Sequence, residues 1–380
     1  MSDLNYKKAA RVIVKAGLFP FPIMDTMINI LKMLITEEEL ELVMSFKRNP
    51  SQTMVQLKQS SKMSEEQIHR LTKTLSKTGL IFNQPSSAGI MVYRLMPLVM
   101  VGVFEYTFMN KLEFNEKEKK LARLFTQLFE ELRDFIQENY DTIAPYFKTL
   151  LPYDRTVPIL DKNVSDEEIQ ISINKEIDVP EEQIIPTQEV EEIIKKFEDI
   201  AVGHCFCRHH KDLLGKSCKT TELRENCFTF GKSARYCVEQ GFARTISKEE
   251  ALEILKESEK DGLVHKAFHS GSRIARDETS ICNCCKCCCG TLEWWRMGVT
   301  AMINSTNFLA KIDKSKCVGC GTCLEKCPVD AIQGDDNNKA ECNAELCIGC
   351  GVCAHFCPEN AISLLEGMRT VFVPPPRLRD

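Results

Sequence analysis

The chain has 380 residues, enough for two or three domains, and its proportions of apolar (43%) and charged (27%) residues are those of a globular protein. Its twenty cysteines are unusual, and none of them occurs before Cys205. Such clustering indicates metal binding and argues against a disulfide framework, which would spread its bridges over the fold. The N-terminal residues lack the apolar stretch of a signal peptide, and the most apolar segments are interrupted or short. We therefore expect neither a signal peptide nor a membrane span.

Residues 1–110 contain no cysteine and form a predicted module of their own. Thr36, followed by three glutamates, and Ser64, followed by Glu65 and Glu66, are signals for the start of a helix. Two short helices, a longer one from Ser64, and two strands at 80–82 and 91–95 resemble a winged helix-turn-helix. This resemblance implies a module that binds either DNA or another protein.

The charges of this module favour a protein ligand over DNA. Residues 1–85 carry twelve Lys or Arg and eight Asp or Glu, a surplus too small to decide the question. The predicted recognition helix also begins with Glu65 and Glu66, where base and phosphate contacts usually start. We therefore favour contact with a partner protein and keep nucleic acid as the less favoured alternative.

Residues 111–186 are predicted to be one long helix followed by a connector. After Asn115, leucines and phenylalanines recur at helical spacing as far as Ile136, and Pro145 and Pro152 close the segment. Such a stripe is usually a core face or a subunit seam, so a homo- or hetero-oligomer is compatible with it. The connector has room for two strands, and a helix that opens at 186–187 leads into a cysteine-rich region.

A cysteine pattern occurs twice near the C-terminus, with an offset of thirty residues. The copies are Cys317-Val-Gly-Cys320-Gly-Thr-Cys323-Leu-Glu-Lys-Cys327-Pro328 and Cys347-Ile-Gly-Cys350-Gly-Val-Cys353-Ala-His-Phe-Cys357-Pro358. This is the C-x2-C-x2-C-x3-C-P run with which bacterial-type ferredoxins hold two cubane clusters. Three thiolates two residues apart can wrap three corners of one cube, whereas we expect the fourth cysteine to start a helix that leads away. Over roughly residues 308–366 the chain resembles the 2[4Fe–4S] ferredoxin family.

This geometry predicts crossed ligation, in which each fourth cysteine serves the other cluster. One [4Fe–4S] cluster is assigned to Cys317, Cys320, Cys323 and Cys357, and the other to Cys347, Cys350, Cys353 and Cys327. Two full copies at one spacing argue against the alternatives, a zinc site or a disulfide framework. Cys342 falls opposite Ile312 in the repeat, so we interpret it as a small buried apolar residue and not as a ligand.

A second cysteine-rich region lies between residues 204 and 290. Its ten candidate metal ligands are Cys205, Cys207, Cys218, Cys227, Cys282, Cys284, Cys285, Cys287, Cys288 and Cys289. The first four make one complete ligand set. The other six cannot all face one ion, because neighbours in an extended run point to opposite sides, so they feed two sites or one larger, non-cubane cluster. Dense thiolates favour one or two further iron–sulfur clusters over structural zinc or redox-active thiols, and both alternatives stay open.

Two resemblances concern this second region and the chain as a whole. The triplet Cys288-Cys289-Gly290 is similar to part of the cysteine-rich motif of heterodisulfide-reductase-type subunits, which implies a non-cubane cluster, although the long spacers of that motif are missing. The whole arrangement resembles long ferredoxin-like iron–sulfur proteins of anaerobic bacteria and archaea with a winged-helix-like N-terminus. The chain has neither a P-loop nor a Gly-x-Gly-x-x-Gly after a strand, so no nicotinamide or flavin domain of that type is indicated.

Together these features predict an α+β multidomain protein. Residues 1–110 form the winged-helix-like module, 111–186 the long helix and connector, 187–307 a mostly helical cysteine-rich domain, and 308–380 the dicluster ferredoxin domain with a C-terminal tail. The expected function is low-potential electron transfer between the two [4Fe–4S] clusters, the central cluster or clusters, and a redox partner protein. The alternatives are an oxidoreductase whose open-site central cluster acts on a disulfide or small substrate, and a redox-sensing DNA-binding regulator. Oxygen-labile clusters and reduced thiols suggest the cytoplasm of an anaerobe.

Overall fold

The computed structural model describes residues 2–17, 21–100, 102–152, 154–160, 164–168, 189–269 and 276–378. The chain divides into two compact units, and each unit is assembled from separate stretches of sequence. Unit 1 comprises Met1–Asp134, Gly203–Ser217 and Ala234–Arg244, and unit 2 comprises Phe135–Val202, Cys218–Ser233 and Thr245–Asp380. None of the described helices is long and apolar enough to cross a lipid bilayer.

Unit 1 begins with helices whose starts are fixed by side-chain caps. Thr36, Thr53 and Ser64 each accept a hydrogen bond from a backbone N–H three residues later, and the side chain at that position returns one. The helix starts predicted at Thr36 and Ser64 are therefore confirmed. The helices are α1 (Ser2–Ala16), α2 (Asp25–Leu34), α3 (Glu37–Ser45), α4 (Met54–Ser61), α5 (Glu65–Lys77), α6 (Val103–Met109) and α7 (Glu116–Glu138).

A small antiparallel sheet follows the helices of this first segment. Its strands β1 (Ser51–Thr53), β2 (Ile81–Pro85) and β3 (Met91–Leu95) lie in the order β1–β3–β2, with Ser51 opposite Arg94 and Ile81 opposite Leu95. The two predicted strands of this module are thus present. Unit 1 also contains α10 (Phe206–Leu213), most of α11 (Gly231–Gln240) and most of β8 (Ala243–Thr245).

The centre of unit 1 is aromatic. The Phe104 ring meets the rings of Phe108, Phe125 and Phe129 edge to face, at centroid separations of 5.1 to 5.3 Å. Edge-to-face pairs at this distance add to the free energy gained from burial alone. His210 of α10 contacts the same Phe104 ring at 5.2 Å, so α10 packs into this aromatic core.

The long helix predicted after Asn115 is divided at Asn139. This residue leaves the helical conformation, with φ −113° and ψ 24°, and its side-chain amide donates to the carbonyl of Phe135. An asparagine that bonds the backbone in this way competes with helix continuation. The second piece, α8 (Tyr140–Phe147), contains Pro145, which was predicted to close the helix. Of the connector, β4 (Asp154–Val157) and β5 (Val164–Glu168) are the two expected strands, and residues 169–188 lie outside the described residues.

Unit 2 is built on a mixed sheet whose strands run in the order β5–β14–β11–β4–β9–β10–β7–β6. β11 and β4 are parallel, whereas β4–β9, β9–β10 and β10–β7 are antiparallel. The remaining strands are β6 (Ile200–His204), β7 (Glu225–Phe230), β9 (Val264–His269), β10 (Glu278–Cys284), β11 (Met302–Ile312) and β14 (Ile362–Val373). The helices α9 (Val190–Lys196), α12 (Lys248–Lys260) and α13 (Gly290–Arg296) accompany them.

The prediction of a mostly helical middle region is wrong, because β6 to β11 alternate there with the helices. The segments 226–230 and 264–268 are buried almost throughout and show no alternation of exposed and buried residues. Periodicity cannot tell such a short buried strand from a helix segment. α12 follows Ser247, whose hydroxyl accepts a hydrogen bond from the backbone N–H of Glu250 in the first turn.

At the C-terminal end of the chain, β11 and β14 pair antiparallel with Ile312 opposite Ile362. A second, two-stranded ladder joins β12 (Ile332–Gly334) to β13 (Ala340–Cys342). Between these strands lie two very short helices, α14 (Thr322–Lys326) and α15 (Val352–His355). The two cysteine motifs begin in the loops before α14 and α15, so both motifs lie between paired strands of the same part of the chain.

Candidate iron–sulfur and metal sites

The cysteines of the repeat surround two separate cavities. The first cavity is lined by Cys317, Cys320, Cys323 and Cys357. The second is lined by Cys327, Cys347, Cys350 and Cys353. Each cavity therefore takes three cysteines from one motif copy and the fourth from the other, and these are the two sets that crossed ligation requires.

The loops around both cavities depend on glycine. Gly319, Gly321, Gly349 and Gly351 all have φ between +65° and +79°, a left-handed conformation that side-chain-bearing residues rarely adopt. At Gly349 the approach is also close, since a Cβ there would lie 2.3 Å from the carbonyl oxygen of Phe308. The sequence needs glycine here to bring the loop backbone against the strands and around the cavity.

The fourth cysteine of each motif ends a helix, so the expectation that it starts one is wrong. Cys327 follows α14 in an extended conformation, and Cys357 follows the end of α15. Both helices begin one residue after a left-handed glycine, between the second and third cysteines. The N–H of Ala331 donates to Cys327 Sγ at 3.2 Å, and the N–H of Ala361 donates to Cys357 Sγ at 3.3 Å. Such bonds favour a negatively charged sulfur.

The two cavities differ in exposure. Cys320 is exposed and Cys317 and Cys357 are half-buried, whereas all four cysteines of the second cavity are buried. Burial accordingly raises the pKa of the Cys350 and Cys353 thiols, while a hydrogen bond with Thr322 lowers the pKa of Cys320. Buried thiols gain most from a bound metal, because coordination replaces the proton that burial favours.

Cys342 and Arg369 adjoin the second cavity, and no sequence pattern predicts either contact. The Cys342 thiol contacts Cys347, and this hydrogen bond is the main reason that the pKa of Cys347 falls to about 6. Cys342 is half-buried, so its interpretation as a mere apolar filler is incomplete. The guanidinium of Arg369 donates a hydrogen bond to the carbonyl of Ala344. Burial lowers the pKa of Arg369, and the nearby Cys347 and Cys342 act in the opposite direction. A cation therefore stands beside the second set of thiols.

Residues 310–364 match the family model of the 4Fe-4S dicluster domain. With two cavities, each ringed by four cysteines and close-packed glycines, the donor set fits the two clusters of that family. This part of the chain is a ferredoxin-like dicluster domain. No curated protein and no solved structure matches the chain.

Outside the dicluster domain, four central cysteines form what we call the compact thiol group, namely Cys218, Cys285, Cys287 and Cys288. Their sulfur atoms all lie within 4.8 Å of one another. Hydrogen bonding, first of all with Cys285, lowers the pKa of Cys218 to about 6. Among the described residues, no other group of three or more possible ligands is as tightly gathered.

The remaining four central cysteines of unit 2 form what we call the thiol chain, namely Cys227, Cys282, Cys284 and Cys289. Cys227 and Cys282 are opposite each other in β7 and β10, and their sulfur atoms are 3.6 Å apart. Cys284 contacts both Cys282 and Cys289. The hydrogen bond with Cys282 raises the pKa of the Cys284 thiol, and the hydrogen bond with Cys284 raises the pKa of the Cys289 thiol. The thiol chain also offers four sulfur ligands, but its sulfur atoms are farther apart than those of the compact thiol group.

A buried ammonium group adjoins the thiol chain. Lys266, on β9 next to β10, is 3% exposed, and its Nζ lies 2.6 Å from Asp154 Oδ2. Its charge acts on Cys284 and Cys289 in the direction that favours their thiolate forms. Nothing in the run Val264-His-Lys-Ala-Phe-His269 marks this lysine as buried, so sequence reasoning missed it.

The structure divides the first predicted ligand set differently. Cys218 joins the compact thiol group and Cys227 joins the thiol chain, whereas Cys205 and Cys207 belong to unit 1, at the start of α10. Sequence spacing could not show this, because the partners of Cys218 and Cys227 lie more than fifty residues away along the chain. Cys205 and Cys207 stay candidate ligands on their own.

The histidines near the cysteines make structural hydrogen bonds. His209 Nδ1 bonds the carbonyl of Phe108 and His210 Nε2 that of Ala122. Burial lowers the pKa of His210 to about 4, so its ring is neutral at pH 7. In unit 2, His265 Nδ1 lies 2.6 Å from Asn283 Oδ1, and Asn283 in turn bonds the carbonyl of Asn226 on β7. These contacts fix the backbone around the thiols.

Proposed function

We propose that this protein transfers single electrons between a redox partner and a chain of metal centres in unit 2. The observation that carries the proposal is one continuous buried core, which includes Cys284 and Cys289 of the thiol chain together with Cys323, Cys327, Cys347, Cys350 and Cys353 of the dicluster domain. Iron–sulfur clusters held by these cysteines would each carry one electron, and electron transfer needs centres that are close together. A shared core supplies that closeness.

The residues between the two cysteine regions fasten them together. Lys286, in the middle of the central run, pairs with Asp330 at 2.7 Å. Arg296 donates to the carbonyl of Lys286 at 2.9 Å and also bonds the carbonyl of Pro328, directly after Cys327. Three ionic groups thus hold the central cysteine run against the loop that follows a dicluster cysteine, which keeps the separation of the two regions constant.

The first dicluster cavity is the proposed point of exchange with the partner. Cys320 is exposed there, and the neighbouring Val318 is 64% exposed, an apolar side chain that a docking protein could cover. The four cysteines of the second cavity are buried, and so are all those of the thiol chain except Cys282, which is half-buried. This order, from an exposed centre to buried ones, gives electrons one entry and an insulated path.

We propose an iron–sulfur cluster for the thiol chain. Its four cysteines are too widely spread for three sulfur atoms to meet within 4.8 Å, and buried Lys266 offsets part of the negative charge of a four-thiolate site. A fixed cation beside a cluster stabilises the reduced, more negative state. The thiol chain would therefore act as the inner electron acceptor.

The winged-helix-like part of unit 1 is proposed to contact a partner protein. On α5, Arg70 pairs with Glu38, and Glu65 pairs with Lys58 at 3.1 Å. These pairs neutralise the basic groups that a phosphate backbone would need. Val55 on α4 and Ile90 before β3 are 65% and 56% exposed, which suits an apolar contact with protein better than contact with nucleic acid.

The test is a redox titration of the full chain, purified without oxygen and followed by EPR. We expect two interacting one-electron signals from the dicluster domain and a further signal from the thiol chain. In Cys282→Ala the further signal should vanish together with the iron of that cluster, while the dicluster signals stay. Cys237→Ala, which alters a buried cysteine of unit 1, is the matched control and should keep all signals.

Two outcomes would contradict the proposal. If the wild-type clusters take up no electrons reversibly, the protein is not an electron carrier. If Cys282→Ala keeps the iron content and every EPR signal of the wild type, the thiol chain holds no cluster, and electron transfer stays confined to the dicluster domain.

A further inference from the structure

We infer that the compact thiol group holds one tetrahedrally coordinated metal ion and not a cluster. The inference deepens the proposed function, on which it rests in placing metal at the central cysteines. The separations are 3.5 Å for Cys218–Cys287 and for Cys287–Cys288, 3.7 Å for Cys218–Cys285 and 3.8 Å for Cys285–Cys287, all between sulfur atoms.

These separations are those of ligands that share a single ion. A metal–thiolate bond is about 2.3 Å long, and the edge of a tetrahedron is about 1.63 times the distance from its centre to a corner. Four thiolates on one ion therefore lie about 3.8 Å apart. Four of the six separations, 3.5 to 3.8 Å, match that edge, and the other two are within 4.8 Å.

A cluster would need a wider arrangement. In a [4Fe–4S] cluster each thiolate binds a different iron, so the sulfur atoms stand outside the corners of the metal core and farther apart than ligands of one ion. The dicluster domain gives the comparison within the same chain. Its eight ligand cysteines line two cavities, and no three of their sulfur atoms gather within 4.8 Å.

The local structure builds a compact site from neighbouring residues. Cys285, Cys287 and Cys288 lie on one tight turn, which the N–H of Cys289 closes by donating to the carbonyl of Cys285 at 3.3 Å. Cys218 comes from a separate loop, in which the Thr221 hydroxyl bonds the Asp261 carboxylate. One turn that supplies three ligands and a distant loop that supplies the fourth is an arrangement that a single ion can tie together.

One side of the site is buried, and the other side is exposed next to a hydroxyl group. Cys285, Cys288 and Leu263 are 2%, 3% and 0% exposed and pack together, so this side of the site is buried. Cys287 is exposed, and the Thr220 hydroxyl lies 3.3 Å from its sulfur atom. The compact thiol group packs in a small core of its own, whereas Cys284 and Cys289 of the thiol chain belong to the core shared with the dicluster domain.

The chemistry of the ligands defines the class of metal. Four thiolates in a tetrahedron select zinc or iron among the common divalent ions. Zinc would tie the Cys218 loop to the turn and stabilise the fold, whereas iron in the same cage would add one more one-electron site. Both are thiophilic ions bound singly, without inorganic sulfide.

The test counts metals and acid-labile sulfide in Cys287→Ala of the full chain, prepared without oxygen. Cys287 is the exposed ligand, so its removal should leave the fold intact. We expect the loss of about one zinc or one iron per chain, with sulfide unchanged. Cys320→Ala calibrates the assay, since loss of a dicluster cluster removes about four irons and four sulfides.

X-ray absorption of the wild-type protein gives a second measurement that does not depend on the variant. At the zinc edge, or in the mononuclear iron component, we expect four sulfur neighbours at about 2.3 Å and no metal neighbour. Loss of several irons with equal sulfide in Cys287→Ala, or no loss of metal at all, would overturn the inference. The two proposals can fail separately, because Cys282→Ala tests the thiol chain and Cys287→Ala tests the compact thiol group. If the redox titration fails while the single ion is still bound, only the proposed function is refuted.

Discussion

The two halves of the dicluster repeat have the same cysteine spacing, yet they sit in different surroundings. In the first half Cys320 is exposed and Gly321 has open space around it. At the equivalent positions of the second half, Cys350 is buried and a Cβ on Gly351 would lie 2.5 Å from the carbonyl oxygen of Ile159. The motif therefore fixes which atoms can bind iron, while the strands packed around it fix how much water reaches them.

This difference comes from a segment outside the repeat. Residue 159, just after β4, donates its backbone N–H to the carbonyl of Cys350 at 3.1 Å. Phe308 and Thr306 of β11 lie closest to Gly349, whereas the atoms closest to Gly319 in the first half belong to the hairpin residue Asn338. Residues of unit 2 outside the repeat thus cover its second half and leave the first half open.

The largest effect should come from removing one ligand in each half. Both Cys320→Ala and Cys350→Ala should lose about four irons and four sulfides per chain. Cys350→Ala should also lower the free energy of unfolding by about 2 kcal/mol more than Cys320→Ala, because it leaves a cavity within the buried core. Iron analysis and anaerobic denaturant unfolding, followed by circular dichroism, measure the two effects. Equal unfolding midpoints for the two variants would contradict the difference in burial.

The parts of the fold that follow from local chemistry could be predicted. Thr36, Ser64 and Ser247 cap their helices through hydrogen bonds that span three residues, and a sequence displays such partners directly. Asn139 could have signalled the break before α8, but an asparagine inside an amphipathic stripe is usually tolerated. The strands of the middle region were missed because burial on both faces removes the alternation by which strands are recognised.

The candidate sites divide in the same way. The sets around the two dicluster cavities follow from a repeat with a fixed spacing. The thiol chain depends instead on the register of β7 and β10, which places Cys227 opposite Cys282, fifty-five residues along the chain. The compact thiol group joins Cys218 to a turn sixty-seven residues away. Such pairings are decided by how the strands align, and no local pattern reports that alignment.

A smaller effect should separate the two matched glycines, Gly321 and Gly351. Their φ angles, +79° and +76°, are nearly equal, so alanine at either position should pay a similar strain of roughly 1 kcal/mol. Gly351→Ala adds a clash with the Ile159 carbonyl, which we expect to cost about 1–3 kcal/mol more. Unfolding midpoints and iron content of the two variants, prepared side by side, check this expectation. If Gly321→Ala proved the more damaging, the second half would not be the more tightly enclosed one.

The smallest effect concerns charge. Arg369 stands beside Cys347 in the covered half, where the screening of its guanidinium by water is reduced. Arg369→Met should lower the reduction potential of the second cluster by up to about 60 mV, the equivalent of a tenfold change for a one-electron couple, because the more negative reduced state loses a neighbouring cation. Lys316→Met is the matched control. Lys316 adjoins Cys317 in the open half, with its side chain 63% exposed, so solvent and salt already screen its charge.

EPR redox titration of both variants measures the two shifts. The shift caused by Lys316→Met should be greatest at low ionic strength, whereas the shift caused by Arg369→Met should depend less on salt, since the arginine is half-buried and the lysine is exposed. Similar shifts at Arg369 and Lys316 would mean that water reaches both clusters equally. In that case the covered half could not serve as the insulated step between the partner and the central cysteines, since burial is what would distinguish it from the first half.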